Sequence, residues 1–397
     1  MSDRRPTILQ LIPRLDTGGA ELSTIEIVEA IVRSGGRALV ATEGGRLADR
    51  ITESGGEIVP FRAASKNPLR IIANAGRLQQ LIAAEGIDLL HARSRAPAWS
   101  ALMAARRSKI PFVTTYHGAY GESGRLKRLY NSVMVRADKV IANSNYTAGL
   151  IRSRYGTPED RLTVIHRGVD LAAFDPAAVS AARIAVLRRA WGIADGRLIV
   201  LQAARLTDWK GQRVTVAAAA RLKQEGRLGA AAIVLAGDAQ GRDGYTDALR
   251  RDIRAAGLDG VVVMPGHVAD MAAAFAAAHV TVIASTKEEA FGRTATEAQA
   301  MGCPVIATDL GAPRETVVTA TDRATGWLVP PGDPQPLAER ISTALTLDAS
   351  RRAVMGAHAR ANVAARFTVT AMQRATLAVY DQLLGTKQCE RFPAATD

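Results

Sequence analysis

The sequence predicts an α/β protein made of two doubly wound domains, each with a parallel sheet covered by helices on both faces. Short apolar runs alternate with longer stretches of helical periodicity along almost the whole chain, which is typical of strands buried between helices. The alternation starts again near residue 197, after a connector. A chain of 397 residues is long enough for two domains of roughly 150 residues each.

The predicted elements follow in chain order. The strand-like runs of the first half are 7–12, 38–42, 88–92, 112–116, 139–143 and 162–166. Helical periodicity fills the intervals at 21–34, 68–85, 96–108 and 144–155. The strand-like runs of the second half are 197–203, 231–236, 261–264, 280–284, 304–308 and 326–329. We therefore expect an N-terminal domain, a C-terminal domain, a terminal helix and a loose tail, at 1–172, 173–367, 368–385 and 386–397.

Composition restricts the class of protein. The net charge is +13, and +9 of it lies in residues 1–183, so the N-terminal half should attract anionic partners. Two cysteines, Cys303 and Cys389, cannot build a disulfide framework or a four-cysteine zinc site. No apolar run approaches the ~20 residues that a membrane helix needs, and the N-terminus resembles a first strand more than a signal peptide. We expect a soluble, cytoplasmic protein.

Ligands of such sheets bind beyond the carboxyl ends of the strands, and two facing domains would place these ends around an interdomain cleft. The first loop, PRLDTGGAELS, has Gly18 and Gly19 before a predicted helix, where the backbone can approach a ligand closely. It is not the GxGxxG pattern of dinucleotide-binding proteins. A purely structural turn remains open for this segment.

Two cations follow the first strand of the second half. Arg205 and Lys210 lie five residues apart in QAARLTDWKGQ, so a loop at the strand end could direct both at one phosphate. Two solvated loop cations are the alternative.

Two carboxylates mark the third segment, TKEEAFGRTATEAQAMGCPVIAT. Glu289 is predicted in a loop and Glu297 in the first turns of the next helix. The amides of Gly292, Arg293 and Thr294 then become unpaired donors at the helix N-terminus, which can hold a phosphate. A neighbouring carboxylate can accept hydrogen bonds from sugar or ribose hydroxyls.

These segments occur in a fixed order along the chain: GGAE at 18–21, ARLTDWKG at 204–211, the turn at 237–238, and EEAFGRTATEAQAMGCPVIAT at 288–308. Together they resemble the retaining nucleotide-sugar glycosyltransferases of family 4, over roughly residues 7–384. The family's usual Glu-Gly-Phe-Gly is here Glu-Ala-Phe-Gly. The resemblance implies two Rossmann-like domains of the GT-B type and a final helix that returns to the N-terminal domain.

The resemblance also implies residue roles. Arg205 and Lys210 would clamp the donor diphosphate, Glu297 would bind the ribose, and Glu289 would bind the transferred sugar. The implied catalytic residues are Arg205, Lys210, Glu289 and His117. The implied donor site adds Gly18, Gly19, Gly237, His267, Val268, Phe291, Gly292, Arg293 and Thr294. His117 matches a histidine on the family's acceptor side. Arg93 and Arg95, which follow a predicted strand end of the same half, are further candidates for contact with the acceptor.

The chemistry agrees with these roles. Fixed cations and helix amides stabilise charge on a departing diphosphate, and the chain has no Asp-x-Asp. We therefore expect neither a metal nor a cofactor. A retaining transfer in this family can let the leaving phosphate guide the acceptor proton, with the protein supplying position.

The acceptor is expected on the N-terminal domain. Residues 123–138 alternate apolar and basic side chains, a pattern of either an ordinary surface helix or a helix that contacts anionic lipid. We expect the transferred hexose to be received by a molecule of the cell envelope, either a membrane-linked glycolipid such as lipopolysaccharide core or an oligosaccharide. We expect the protein itself to lie peripherally on the inner face of the plasma membrane.

Two other functions stay open at this point. A sugar-nucleotide epimerase of similar architecture would need acid and base residues that cannot be placed. A basic nucleic-acid-binding protein fits the charge, but only 5% of residues are aromatic and no nucleic-acid motif is present, so we expect no nucleic-acid partner.

Overall fold

The computed structural model describes residues 5–16, 18–121 and 124–393. The chain divides into two compact units. Unit 1 comprises Met1–Gly168 together with Val369–Asp397, and unit 2 comprises Val169–Thr368. Each unit is a parallel sheet with helices, so the predicted fold class of two doubly wound α/β domains is confirmed.

Unit 1 has a sheet of seven parallel strands in the order β3-β2-β1-β4-β5-β6-β7. Its strands are β1 Thr7–Leu11, β2 Arg37–Thr42, β3 Glu57–Pro60, β4 Leu89–Ala92, β5 Phe112–Tyr116, β6 Lys139–Ala142 and β7 Leu162–Val164. Its helices up to the unit boundary are α1 Gly19–Arg33, α2 Asp49–Glu53, α3 Pro68–Glu85, α4 Arg95–Ser108, α5 Arg125–Asn131 and α6 Asn145–Tyr155.

Local sequence signals explain these elements. All five residues of β1 are buried, as a strand covered on both faces requires. Helix α3 begins after Asn67, whose side chain accepts hydrogen bonds from the amides of Leu69 and Arg70, and ends at Gly86 in the left-handed conformation. These are favourable start and stop signals for a helix.

Strand β3 was not predicted from the sequence. It lies at the sheet edge, and its four residues are half-buried or exposed. It therefore lacks the continuous apolar run that identifies the central strands.

Unit 2 has six parallel strands in the order β10-β9-β8-β11-β12-β13. The strands are β8 Ile199–Ala203, β9 Ala232–Ala236, β10 Val262–Gly266, β11 Val280–Ile283, β12 Val305–Thr308 and β13 Gly326–Val329. The helices are α7 Ala181–Ala190, α8 Gln212–Gln224, α9 Asp243–Ala255, α10 Met271–Ala277, α11 Arg293–Ala300, α12 Pro313–Thr316, α13 Pro334–Leu345 and α14 Ala349–Arg366. The order reverses between β8 and β11, and ligands of doubly wound sheets bind at such a point.

The last helices belong to unit 1. Helix α15, Val369–Leu384, contacts α1, and its Met372, Leu377 and Tyr380 join the core cluster beneath the seven-stranded sheet. Within unit 2, the backbone N–H of Val169 donates to the carbonyl of Phe367 at 2.8 Å, so the first and last residues of that unit lie side by side.

The expectation of a loose tail over 386–397 is wrong for its described part. Residues Gln388–Arg391 form a short helix, α16, and Phe392 is 2% exposed. The carboxylate of Asp381 accepts hydrogen bonds from the amides of Gln388 and Cys389 at 2.7 and 2.8 Å, which fixes this segment against α15. Residues 394–397 lie outside the described part of the chain.

The amphipathic segment 123–138 divides into two parts. Helix α5 is exposed, with Leu126 and Leu129 84% and 53% accessible, whereas Val133 and Met134 in the following 310 turn are buried. Residue 123 lies outside the described residues. In the part of the chain that the structure describes, no helix is both long and apolar enough to cross a membrane.

Candidate active site

The loops after β8 and β11 meet at the carboxyl edge of the unit 2 sheet. Gly211, at the end of the loop after β8, has φ of +71°, and a Cβ at this position would lie 1.8 Å from the carbonyl oxygen of Ala284. The amide of Thr286 donates to the carbonyl of Trp209 at 2.8 Å. Glycine therefore allows the two loops to pack backbone against backbone at the point where the strand order reverses.

Lys210 and Glu289 form the central ion pair of this edge. The Lys210 Nζ donates to Glu289 Oε1, and the Ser285 Oγ donates to the same oxygen at 2.6 Å. The two charged side chains are 17% and 9% exposed. The Gln202 Nε2 donates to the Lys210 carbonyl at 2.7 Å. Glu289 is thus held by two donors, which makes it a fixed acceptor for further donors such as sugar hydroxyls.

Arg205 is held through its backbone. Its carbonyl accepts a hydrogen bond from Gln212 Nε2 at 2.9 Å, and Gln212 Oε1 accepts one from the Tyr245 hydroxyl at 3.0 Å. Burial, followed by the charge of Asp208, raises the pKa of Tyr245 to about 12, so the hydroxyl remains a donor. The side chain of Arg205 is exposed and, among the described residues, forms no ion pair. It is available to an anion.

Glu297 lies in the second turn of α11, as predicted. Its Oε1 accepts from Arg293 Nε at 3.2 Å, and the two side chains are 16% and 12% exposed. The helix begins after Gly292, without a side-chain cap or an acidic residue in its first turn. The Thr294 hydroxyl donates to the carbonyl of Ala203 at 3.3 Å, which joins the helix N-terminus to the end of β8.

The other predicted donor residues differ in exposure. The side chain of Phe291 is 2% exposed and packs edge-on against Phe367, with ring centroids 5.8 Å apart. This ring anchors the loop in the core, because an apolar side chain gains most there. The contact of Phe291 with the donor stays a prediction. Val268 is also buried, whereas His267 is exposed. Gly237 approaches the carbonyl of Ala204, which a Cβ would meet at 1.9 Å.

At the carboxyl edge of unit 1, Gly18 precedes α1, Gly19 begins it, and Arg93 and Arg95 follow β4. Arg93 is buried and donates to the Ser23 carbonyl at 2.5 Å and to the Thr115 hydroxyl at 3.2 Å. Burial lowers the pKa of Arg93 to about 10, and it stays charged at neutral pH. Its hydrogen-bond acceptors are all neutral.

His117 follows β5 and accepts a hydrogen bond. Its Nδ1 lies 2.8 Å from Nη2 of Arg167, and because arginine only donates, Nδ1 must be the acceptor. Burial, with the charges of Arg167 and Arg93, lowers the pKa of His117 well below the ordinary value. The neutral ring therefore carries its proton on Nε2, which is shielded from solvent and has no partner among the residues that the structure describes. In this state the ring can donate a hydrogen bond from Nε2, and its low pKa does not suit a base at neutral pH.

Several residues of these sites were not predicted. Ser285, Gln202, Gln212 and Arg167 each hold a predicted residue in place. Arg167 carried a usable signal, because it follows the seventh strand of unit 1 as Arg93 follows the fourth. His91 was missed as a structural residue: its ring nitrogens lie 2.6 Å from the Tyr380 hydroxyl and 2.7 Å from the Thr115 hydroxyl. Within the described ranges, no group of three His, Cys, Asp or Glu side chains could hold a metal ion.

Two family models match the chain in succession. Residues 17–173 match Glycosyltransferase Family 4, and residues 184–362 match Glycosyl transferases group 1. A D-inositol 3-phosphate glycosyltransferase of Xylanimonas cellulosilytica is 30% identical over 395 residues, 92% of each chain. The matches to three further relatives of the same name span 55 to 65% of those proteins' lengths.

Solved structures of glycosyltransferases share the fold. A glycosyltransferase of Rickettsia africae is 31% identical, with a TM-score of 0.87 over 96% of this chain and 100% of that one. HepE of Anabaena, solved with UDP and glucose, is 27% identical, with a TM-score of 0.82 over 95% and 99% of the two chains. These proteins have the GT-B fold, so the predicted arrangement of two Rossmann-like domains of this type is confirmed.

Proposed function

Because this chain belongs to the GT-B glycosyltransferases of family 4 and group 1, we propose that it moves a hexose from a nucleoside-diphosphate sugar to a cell-envelope acceptor with retention and without a metal. The observation that carries the proposal is the Lys210–Glu289 pair beside Arg205 and α11. That set offers cations and helix amides to a diphosphate and a fixed carboxylate to a sugar. HepE, solved with UDP and glucose, supports a uridine nucleotide as the donor.

The residues divide the work between leaving group and sugar. Arg205, Lys210 and the N-terminus of α11 stabilise the charge that grows on the departing diphosphate. Glu289 accepts hydrogen bonds from hydroxyls of the hexose, and Glu297 accepts them from the ribose. The His117 ring is neutral with its proton on Nε2, so it is not the base in this proposal. The departing phosphate guides the proton of the acceptor hydroxyl instead.

We favour a membrane-linked glycolipid, such as lipopolysaccharide core, as the acceptor and the inner face of the plasma membrane as the location. Helix α5 supports this choice, because Leu126 and Leu129 are exposed beside the exposed Arg125, Lys127 and Arg128. An apolar face flanked by cations suits the surface of an anionic bilayer.

A second acceptor class is a small phosphorylated polyol. It is favoured by the relative that matches over 92% of both chains and is named a D-inositol 3-phosphate glycosyltransferase.

The donor is tested by ligand stabilisation and turnover. UDP, GDP and ADP are added separately during thermal unfolding, and the matching product should raise the midpoint, since a ligand that binds only the folded state stabilises it. The matching sugar nucleotide should then be hydrolysed slowly, and NMR of the glycosylated product should show the donor's anomeric configuration. An inverted product contradicts retention, and conversion of the donor to another sugar nucleotide identifies an epimerase.

The membrane contact is tested by co-sedimentation with phosphatidylglycerol–phosphatidylcholine vesicles. Substituting both Leu126→Ala and Leu129→Ala should reduce binding, whereas Val354→Ala, which changes an apolar residue of α14 about as exposed as Leu129, should not. A membrane role for α5 is contradicted if the wild-type protein does not bind the vesicles. It is also contradicted if the double leucine variant binds them as well as Val354→Ala does.

A further inference from the structure

We propose that Phe367 is a positioning residue for the donor site of unit 2, because its ring holds the donor loop, residues 289–292, in the shape that the donor needs. The inference rests on the proposed function, and it adds a residue that lies outside the predicted site. It concerns contacts within unit 2 alone.

The donor loop carries two kinds of donor-binding group. Glu289 begins it, and Gly292, left-handed with φ of +81°, ends it at the start of α11. Only Ala290 and Phe291 separate the carboxylate of Glu289 from the residue that precedes the first amides of the helix. A displacement of Phe291 would therefore move these amides relative to the carboxylate.

The backbone of Glu289 is the first anchor of the donor loop. Its carbonyl accepts a hydrogen bond from the Ala312 amide at 2.9 Å, and Glu289 forms a parallel bridge with Gly311. Gly311 has φ of +83°, and a Cβ at this position would lie 2.5 Å from the Glu289 carbonyl oxygen. Glycine thus allows the first anchor to form by close backbone contact.

The side chain of Phe291 is the second anchor. It packs edge-on against Phe367, with ring centroids 5.8 Å apart and ring planes 72° apart. The two rings are 2% and 1% exposed, and they belong to a small core cluster with Val169, Ala300 and Val363. Because this cluster is distinct from the two larger ones that contain the strand residues of unit 2, the aromatic pair is a local support of the donor loop.

Both anchors lead back to the end of α14. Phe367 follows this helix directly, and the guanidinium carbon of Arg366 lies 4.7 Å from the centroid of the Phe367 ring. Arg366 Nη2 also donates to the carbonyl of Glu315 at 3.0 Å, and Glu315 lies in α12, just after the first anchor. Residues 366 and 367 therefore support the donor loop through the ring of Phe291 and, by way of α12, through its backbone.

Phe367 is itself fixed through its backbone. Its amide donates to the carbonyl of Val363 at 2.8 Å, and its carbonyl accepts from the amide of Val169 at 2.8 Å. An edge-on aromatic pair has a preferred geometry and an attraction beyond its buried area, which an aliphatic side chain lacks. The pair can therefore set the direction of the donor loop as well as fill space.

Measurement can separate a positioning role from a purely structural one. If the Phe367 ring only fills the core, its replacement lowers the thermal midpoint but leaves nucleotide affinity unchanged in the folded protein. If it positions the donor loop, affinity falls as well, because the helix amides and the Glu289 carboxylate are no longer aligned for one ligand.

The test is a double-mutant cycle on the affinity for the nucleoside diphosphate, UDP, GDP or ADP, that raises the thermal midpoint. Calorimetric titration is done below the unfolding transition of each variant. Phe291→Leu and Phe367→Leu should each weaken binding about three- to tenfold. The double variant should bind no more weakly than the weaker single variant, because both changes remove the same contact.

Phe392→Leu is the matched control. The Phe392 ring is also 2% exposed, and the guanidinium carbon of Arg33 lies 5.1 Å from its centroid, but it belongs to unit 1. This variant should bind the nucleotide as wild type does. Wild-type affinity in Phe367→Leu, losses that multiply in the double variant, or an equal loss in Phe392→Leu overturns the inference.

Arg366→Gln keeps the test decisive if Phe367→Leu does not fold, since Arg366 is exposed. This change removes the cation over the ring and the hydrogen bond to Glu315, so nucleotide affinity should fall about two- to fivefold. Arg351→Gln, on the same helix and paired with Asp348 at the surface, should have no effect. Equal affinities in these two variants overturn the inference.

Hydrogen exchange separates failure of this inference from failure of the proposed function. Without nucleotide, the amides of Ala312 and Ala295, which bond to the carbonyls of Glu289 and Gly292, should exchange faster in Phe367→Leu than in wild type. They should exchange at the wild-type rate in Phe392→Leu. If the wild-type protein binds no nucleoside diphosphate, the proposed function is contradicted, and the exchange rates still decide whether Phe367 holds the loop. Unchanged rates of both amides in Phe367→Leu overturn the inference.

Discussion

The carboxyl edges of the two sheets differ in how they satisfy their cations. In unit 2, Lys210 is paired with Glu289 and Arg293 with Glu297. In unit 1, Arg93 and Arg95 bond to carbonyl, hydroxyl and amide oxygens. The first six strands of each unit follow the same order, so the difference lies in the loops. An edge whose cations are paired with carboxylates offers both charges to a ligand with phosphates and hydroxyls.

The largest effect expected on the unit 2 edge comes from Lys210→Ala. It removes a cation from the diphosphate and leaves a buried carboxylate unpaired, so donor turnover should fall by about 10²–10³-fold. Arg213→Ala, three residues on and exposed beside Asp252, is the control and should retain turnover. Unchanged hydrolysis in Lys210→Ala would mean that the ion pair is structural.

A smaller loss is expected for Glu297→Gln. The amide keeps the shape but accepts less strongly and loses the pair with Arg293, so nucleotide affinity should fall roughly tenfold, or about 1.4 kcal/mol. Glu225→Gln breaks another i,i+4 pair, with Arg221 on α8, and should leave affinity intact. Calorimetric titration with UDP measures both. Equal affinities in the two variants would contradict ribose binding by Glu297.

The unit 1 edge should be sensitive to acid. Burial lowers the pKa of both His91 and His117, so the unfolded chain binds protons more readily than the folded one. Stability should therefore fall as pH drops below about 6.5, by up to about 1.4 kcal/mol per pH unit for each histidine. The free energy of unfolding is measured with urea at several pH values. Below about pH 6.5 it should fall less steeply with decreasing pH in His117→Gln than in wild type. A wild-type stability that does not change with pH would contradict the buried neutral rings.

The smallest effect is expected for Ser285, whose hydroxyl donates a hydrogen bond to the Glu289 carboxylate and so orients it. Ser285→Ala removes one hydrogen bond, and kcat/KM should fall about three- to tenfold, equivalent to about 1 kcal/mol. Ser153→Ala, which removes an exposed serine hydroxyl bonded within α6, should have no effect on kcat/KM. A loss as large as that of Lys210→Ala would show that Ser285 does more than orient the carboxylate.

The features predicted correctly from the sequence are those that a local pattern of residues determines. Central strands were found because they are continuously apolar, whereas β3 was missed because it is a short edge strand. The tail was misjudged because its order depends on Asp381 and on burial of Phe392, contacts that no local pattern reveals.

The sequence predicted which residues belong to the candidate site, but not which of them pair with each other. Lys210 and Glu289 were both expected at a ligand, yet their mutual pairing joins positions 79 apart in the chain and could not be read from spacing. The donor tautomer of His117 likewise depends on Arg167, which pairs with it across 50 residues.

The return of α15 to unit 1 has a consequence for synthesis. On the ribosome, all of Val169–Thr368 emerges as one continuous stretch and can complete its sheet at once. The core of the first sheet is incomplete until Met372, Leu377 and Tyr380 are translated. Until then, one apolar face of that sheet is exposed to solvent. Unit 1 therefore begins synthesis first and completes its fold last. A nascent chain halted before residue 369 exposes an apolar surface that chaperones can bind.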